Sequence, residues 1–308
     1  MYYIGIDVGG TTVKAGVVSE TGHIIYKAAN PTVIGDEVSF INGIADLIEV
    51  ILKGANLQIS DIQRIGVGCP GGVDAEEGVV VCAGNLGLKN FPLRTKLEKA
   101  ISAPILVNND ANCAALGEYH ALRDRDISSF VMVTLGTGVG GGIIINKKLY
   151  TGYAGLAGEF GGMIISQEEK GNWEHFASAS ALVSAAEKAA YENHKSVLFS
   201  LIQQNGGKAN GEIIFQALRC NDKVTETVFR DYIRYLGDGI ISILYSLRPQ
   251  VIAIGGGLSQ AEELLEPLKK HVAENSNWLK RKKHTQICKA VLGNDAGIVG
   301  AALLKDYT

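Results

Sequence analysis

The chain has 308 residues, 46% of them hydrophobic and 20% charged, with a formal net charge of −3. That length holds one large domain or two medium ones, each with its own core. The near-neutral charge speaks against nucleic acid or an anionic membrane surface as a partner, and no apolar run reaches the roughly eighteen residues of a transmembrane helix. The first residues do not read as a secretory signal. Cys69, Cys82, Cys113, Cys220 and Cys288 are scattered, with no CxxC pair. They read as reduced thiols in a cytoplasmic protein.

From the start, "YYIGID", "VKAGVV" and "HIIYKA" predict three strands of a meander, with a glycine turn after Asp7. "SFINGIADLIEVILKGA" spaces its apolar residues three and four apart and predicts an amphipathic helix. "IQRIGVGCPGGVD" predicts a buried strand entering a Pro-Gly-Gly turn. "ISAPILVNNDANCAALGEYHALR" predicts a strand, a polar turn and a helix. The opening order of elements then returns in "FVMVTLGTGVGGGIIINKKLYTG". Such a repeat predicts two related α/β halves facing each other. Helices follow over about 174–192, 211–219, 223–248 and 259–273, with an apolar strand in "VIAIGGGLS". The expected organisation is a smaller α/β lobe over 1–117, completed by a returning C-terminal helix at 295–308, and a larger lobe over 118–294.

Glycine turns carry the first chemical signal. In "DVGGTTVKAG", Gly9 and Gly10 let backbone N–H groups approach an anion, Thr11 and Thr12 add hydroxyl donors, and Lys14 adds a cation. "GTGVGGG" repeats the device with Gly136, Thr137, Gly138 and Gly140. Two such hairpins would clasp a polyphosphate. Gly255, Gly256 and Gly257 follow a buried strand and would let a base and ribose lie against the backbone. No GxxxxGK[ST] is present, and no GxGxxG opens a helix with an acidic residue about twenty positions on, so neither a P-loop nor a dinucleotide fold is expected.

Carboxylates and amides carry the second. Asp7, at the mouth of the first hairpin, suits Mg²⁺ held through water. Asn109 and Asp110 end a strand just before a helix. Asp110 there is either an N-cap or a general base that takes a proton from a hydroxyl attacking phosphorus. Asn85 lies in a glycine-flanked loop and offers both donor and acceptor. Glu159 and Glu174 flank a short polar loop in "GEFGGMIISQEEKGNWEHFAS". They are acceptors of the kind a polyol needs, or half-buried carboxylates at a helix start. One histidine, His175, and no cysteine lie nearby, too few ligands for zinc.

Taken together, "DVGGTTVKAG", "GVGCPGGVD", "GNLGLKNFP", "NNDANCAALGE", "TLGTGVGGGIIINKKLYTG", "GLAGEFG" and "VIAIGGGLS" resemble the ROK sugar kinases (repressor, open reading frame, kinase) over nearly the whole chain. The resemblance implies the two-lobed fold of the actin–hexokinase–Hsp70 ATPase superfamily, with duplicated ribonuclease H-like domains closing over a sugar. It implies an ATP- and Mg²⁺-dependent hexose kinase acting on the sugar's 6-hydroxyl, working as a homodimer through the helical second lobe. By resemblance Asp110 is the catalytic base. Asn85, Asn109, Glu159 and Glu174 hold the ring hydroxyls, with backbone help from Gly71 or Gly72. Asp7 to Thr12 and Gly136 to Gly140 hold the phosphates and magnesium, and the glycines at 255 to 257 line the adenosine side.

One stretch departs from the family. Members usually read Gly-Glu-x-Gly-His, then a CxCGxxGC loop, then Leu-Glu, with the His and three Cys on a structural zinc and the His touching the sugar. Here Gly162 takes the place of the His, and the loop shortens to "SQEEKGNW". No zinc is expected, and Trp173 is expected to replace the metal in positioning Glu174. Losing the His opens the anomeric side of the sugar. Glucose is the expected substrate, because "AGNLGLKNFPL" is most similar to glucokinase-type members. A β-glucoside, N-acetylmannosamine and allose are the alternatives. The alternative from another class is a sugar-sensing regulator without a DNA-binding domain, because a phosphate hairpin starting at Gly5 leaves no room for the N-terminal segment that regulators of the family carry. A sensor would also need no phosphate motifs.

Overall fold

The computed structural model describes residues 1–307, apart from 124, 167–169 and 278–283. Two five-stranded sheets and one three-stranded sheet are built from thirteen strands among the described residues. The chain divides into two compact units, Met1–Met132 with Gly141–Gly158 and Val291–Thr308, and Val133–Gly140 with Glu159–Ala290.

The first unit opens with an antiparallel meander of β1 (Tyr2–Val8), β2 (Thr12–Ser19) and β3 (Ile24–Pro31). Helix α1 (Glu37–Ala55) follows, then β4 (Ile62–Cys69). The small sheet β5 (Gly72–Asp74), β6 (Val79–Ala83) and β7 (Leu88–Phe91) leads to α2 (Leu93–Ala100), β8 (Ile105–Asn109) and α3 (Asp110–Ala121). Strand order in the main sheet is β3-β2-β1-β4-β8, with β1, β4 and β8 parallel. Parallel strands covered on both faces need near-continuous apolar runs. Ile65, Val67 and Cys69 of β4 supply one and are fully buried. Helix α1 starts on the Asp36 side chain, which accepts from Val38 N, and ends at Asn56 in the left-handed region (φ 55°). Its Ile44, Leu47, Ile48 and Ile51 are buried in the same core, each stabilising by roughly 1.5–3 kcal/mol.

Strands β9 (Ser129–Leu135), β10 (Val139–Ile145) and β11 (Lys148–Leu149) form the second meander. Helices α4 (Trp173–Ala177), α5 (Ala179–Glu192), α6 (Val197–Gln204), α7 (Gly211–Arg219) and α8 (Lys223–Ser246) follow. Then come β12 (Val251–Gly255), α9 (Glu262–Asn275), β13 (Gln286–Lys289) and α10 (Ala296–Ala302). The second sheet runs β11-β10-β9-β12-β13, with β12 and β13 parallel. Both large sheets therefore place a three-stranded meander beside added strands in the same order. The repeat expected from the sequence is a repeat of topology.

Several elements differ from the reading by pattern. The helix expected over 174–192 is two helices, because Ser178 leaves the helical path (φ −74°, ψ 164°) and its hydroxyl caps α5 by accepting from Ala181 N. Helix α6 was not expected. The stretch after Gly256 first makes a 3₁₀ turn over Gly257–Gln260, so α9 begins at Glu262. A division at 117/118 would cut α3, which continues to Ala121. In the compact units, residues up to Met132 and the stretch Gly141–Gly158 go with the first.

Helix α10 closes the first unit against α3. A side chain on Gly117 would meet the Ala296 carbonyl, and one on Gly300 the Cys113 carbonyl. Only glycines allow this approach. Glu118 adds a polar clasp: 2% exposed, its two oxygens accept from Val291 N and Leu292 N at 2.7 Å each.

Candidate functional site

In the first unit the candidates gather at the carboxyl ends of β1, β4 and β8. Asp7 pairs with Gly68, and Cys69 with Asn109, in the parallel register. Asp7 and Asp110 thus end up on one sheet edge, the place where open parallel sheets bind ligands. Behind them lies Cys113, whose buried thiol is pushed well up by burial and then by the charges of Asp7 and Asp110. Cys69 is pushed up to about 12, by burial first and Asp110 second. Neither thiol is a nucleophile.

Asp7 is only partly reached by solvent. Burial raises its carboxyl above the ordinary value, and Lys14, with its ammonium 3.6 Å away, offsets part of that. The β1–β2 turn is closed by Gly9 N donating to Thr12 O at 3.0 Å, and Thr32 Oγ1 donates to Gly9 O at 2.7 Å. Thr11 is exposed at its tip. A Cβ on Gly10 would sit 3.3 Å from Asn85 Nδ2, so Asn85 lies beside this turn.

The β8–α3 junction decides the role of Asp110. Asn109 is the cap: its backbone is extended (φ −64°, ψ 145°) and its Oδ1 accepts from Ala111 N and Asn112 N. Asp110 is the first helical residue, so the cap reading fails for it. Its Oδ1 accepts from Ala111 N at 2.9 Å. The same Asn109 side chain donates from Nδ2 to Gly71 O at 3.0 Å. Gly71 holds φ 87°, a conformation L side chains avoid. Gly72 opens β5.

In the second unit Gly136 and Thr137 are exposed in the β9–β10 turn, closed by Gly136 N donating to Gly138 O at 3.0 Å. Gly140 falls inside β10 rather than in the turn. Glu174 lies against this turn: a Cβ on Gly138 would be 2.5 Å from its Oε2. Asn172, not Glu174, caps α4. The residue Glu159 is exposed, yet desolvation at its carboxyl and then the Glu174 charge hold it above the usual value. Trp173 is fully buried. Its indole N–H donates to Tyr235 O at 2.9 Å, its backbone N–H donates to Met163 O at 2.7 Å, and Gly239 of α8 leaves the notch for its ring. The loop between the glutamates includes 167–169, outside the described residues. Among the described residues no group of three or more His, Cys, Asp or Glu could hold a metal ion.

A cavity of about 650 Å³ also belongs to the second unit. Leu135, Gly136 and Ala179 line it, with Gly211, Phe215 and Arg219 of α7, Gly257 and Gln260 of the β12–α9 connection and Glu262 and Glu263 of α9 contributing most of the rest. Gly255 ends β12 and is buried, and Gly256 has φ 85° with its Cβ direction blocked by the Leu135 backbone. Of the three glycines only Gly257 lines the cavity. Sequence reasoning missed the α7 residues. Their pattern predicts only a helix over about 211–219.

The ROK family model matches residues 3–307. A glucokinase of Halalkalibacterium halodurans is 35% identical over 98% of this chain and 94% of its own. One of Streptomyces coelicolor is 35% identical over 97% and 96%. The fold is similar to that of a ROK family glucokinase from Streptomyces griseus in complex with glucose and AMPPNP, with a TM-score of 0.84, 32% identity and 99% of each chain covered.

Proposed function

The chain belongs to the ROK family, and from that premise we propose an ATP-dependent hexose kinase that transfers the γ-phosphoryl group to the 6-hydroxyl of glucose. Its fold is that of the actin–hexokinase-like sugar kinases. The observation that carries the reading is the shared sheet edge of Asp7 and Asp110, set by the β1-β4-β8 register. It puts a carboxylate suited to a metal-bound phosphate and one suited to a hydroxyl proton at the carboxyl ends of β1 and β8, the two strands that flank β4.

Each residue then has a task. Asp110 accepts the proton as the sugar oxygen attacks phosphorus. Asn85, Asn109, Glu159 and Glu174 exchange hydrogen bonds with the ring hydroxyls, with the Gly71–Gly72 backbone beside them. The turns at Gly9–Thr12 and Gly136–Gly138 present backbone and hydroxyl donors to the phosphates, and Lys14 adds charge. Asp7 fits Mg²⁺: it is a hard oxygen donor, desolvated, with its nearest cation at 3.6 Å. It would hold the ion through water. The ion supplies neutralisation of charge on the phosphates. The cavity of the second unit takes the nucleoside. A cytoplasmic homodimer completes the reading.

The alternatives are substrates rather than reactions. Gly162 leaves open space where a side chain would stand, which suits a substituent on the sugar. The test is product identification: incubation with Mg-ATP and each of glucose, N-acetylmannosamine, allose and cellobiose, with the phosphorylated carbon read by NMR. Glucose 6-phosphate as the fastest-formed product supports the reading. Faster turnover of another sugar replaces glucose, and no phosphorylated sugar overturns the kinase.

A further inference from the structure

We propose that the Arg219–Glu263 ion pair is a strap across the cavity of the second unit, setting affinity for the nucleoside of the phosphoryl donor without affecting the sugar. This rests on the kinase reading above.

The pair joins two walls. Arg219 ends α7 and Glu263 lies in the first turn of α9, with Nη1 and Oε1 2.6 Å apart. Both residues line the cavity. Gly211, Phe215 and Arg219 share one face of α7 at spacings of four, so the helix presents a bare backbone, a ring and a cation along the wall. Phe215 is 5% exposed and joins Leu135, Ala179, Leu258 and Ala261 in the apolar part of the lining.

Charge orients the guest. Glu212, Glu262 and Glu263 face one guanidinium among the lining residues. An excess of carboxylates on the helical walls repels a triphosphate and tolerates a neutral base bearing amino groups. The glycine side, Gly136 and Gly257, carries no side-chain charge and has the N-terminus of α5 at hand, where Ala179 N donates to Gly136 O at 2.9 Å. The phosphates therefore leave over the glycines and the base lies under the strap.

A role in stability explains the pair poorly. Arg219 is 57% and Glu263 24% exposed on their side chains, and exposed pairs of this kind contribute little to folding. Holding two walls at a fixed separation around a guest is a different matter, because it lowers the ordering cost of binding.

The test uses the full chain with Arg219→Glu, Glu263→Arg and the doubly reversed variant. Calorimetry reads ATP, tripolyphosphate and glucose binding, and a coupled assay reads KM and kcat. Each single reversal is expected to weaken ATP about five- to tenfold, leaving glucose binding and Tm unaltered, whereas tripolyphosphate follows the wall charge, weaker in Arg219→Glu and tighter in Glu263→Arg. The double reversal is expected to restore ATP affinity. Unchanged ATP affinity in the singles, or no recovery in the double, overturns the strap alone. Wild type that binds ATP but phosphorylates nothing overturns the kinase reading while the binding arm still decides the strap. Wild type that binds no ATP overturns both.

Discussion

Asn109 joins two parts of the candidate site with one side chain: its Oδ1 caps α3 while its Nδ2 donates to Gly71 O at 3.0 Å. The helix that begins with Asp110 and the glycine loop after β4 are thereby held by a single planar amide. Asn109→Asp separates the two duties. A carboxylate caps as well as an amide and suits the helix N-terminus, but it has no proton for Gly71 O. Stability is expected to stay within about 1 kcal/mol of wild type while KM for sugar rises. Denaturation curves and sugar kinetics check it; an unaltered KM would mean that the Gly71 contact does not position the loop.

Glu159 makes the acid side of the pH profile informative. Its carboxyl is held above the ordinary value by desolvation and by Glu174, so it takes up a proton while an ordinary glutamate is still ionised. Sugar binding that needs the charged acceptor is expected to weaken as pH falls through that raised value. Stability runs the other way. The folded state binds this proton more tightly than the unfolded chain, so the contribution of this group falls as pH rises from the ordinary value through the raised one. Glu159→Gln is expected to remove the acidic limb of sugar KM without lowering Tm at neutral pH. An acidic limb that survives in the variant assigns it to another group.

Trp173 anchors the helix that carries Glu174. Trp173→Ala empties the notch at Gly239 and removes the indole N–H from the Tyr235 carbonyl, and roughly 3–5 kcal/mol of stability is expected to go. Trp173→Phe keeps an aromatic ring in the core but loses the indole N–H and part of the ring that fills the Gly239 notch. It is expected to be better folded than the alanine variant and intermediate in sugar KM. Equal KM values in all three proteins would show that the anchor has no bearing on Glu174.

Glu118 clasps α3 to the segment before α10 through two buried acceptors. Glu118→Gln replaces one acceptor oxygen by a donor facing a backbone N–H. A loss of about 1–3 kcal/mol is expected, measured by urea denaturation. An unchanged midpoint would mean that the loop at 291–292 finds other acceptors.

Much of the fold was legible because periodicity and glycine turns are local signals. The β1–β2 hairpin follows from apolar strands on either side of Gly9-Gly10, and α1 from its three-and-four spacing. What stayed hidden depends on contacts between distant segments. Asn109 and Asp110 are both capping residue types, and only the backbone angles assign the cap to Asn109. Nothing in "SAS" announces that Ser178 ends one helix and starts the next. Phe215 and Arg219 line a cavity because α9 stands opposite α7, a fact no window of sequence contains. Gly140 looked like part of the phosphate turn since it continues a glycine run, yet the turn closes between Gly136 and Gly138.

The most direct test of the account is ADP release coupled to glucose, in wild type and Asp110→Asn, with glucose binding read by calorimetry on both. The account predicts glucose-dependent turnover in the wild type, kcat lowered about 10²- to 10⁴-fold in the variant, and glucose affinity within a few-fold of the original. Undiminished turnover in Asp110→Asn, or no turnover of glucose by a wild type that binds it, would contradict it.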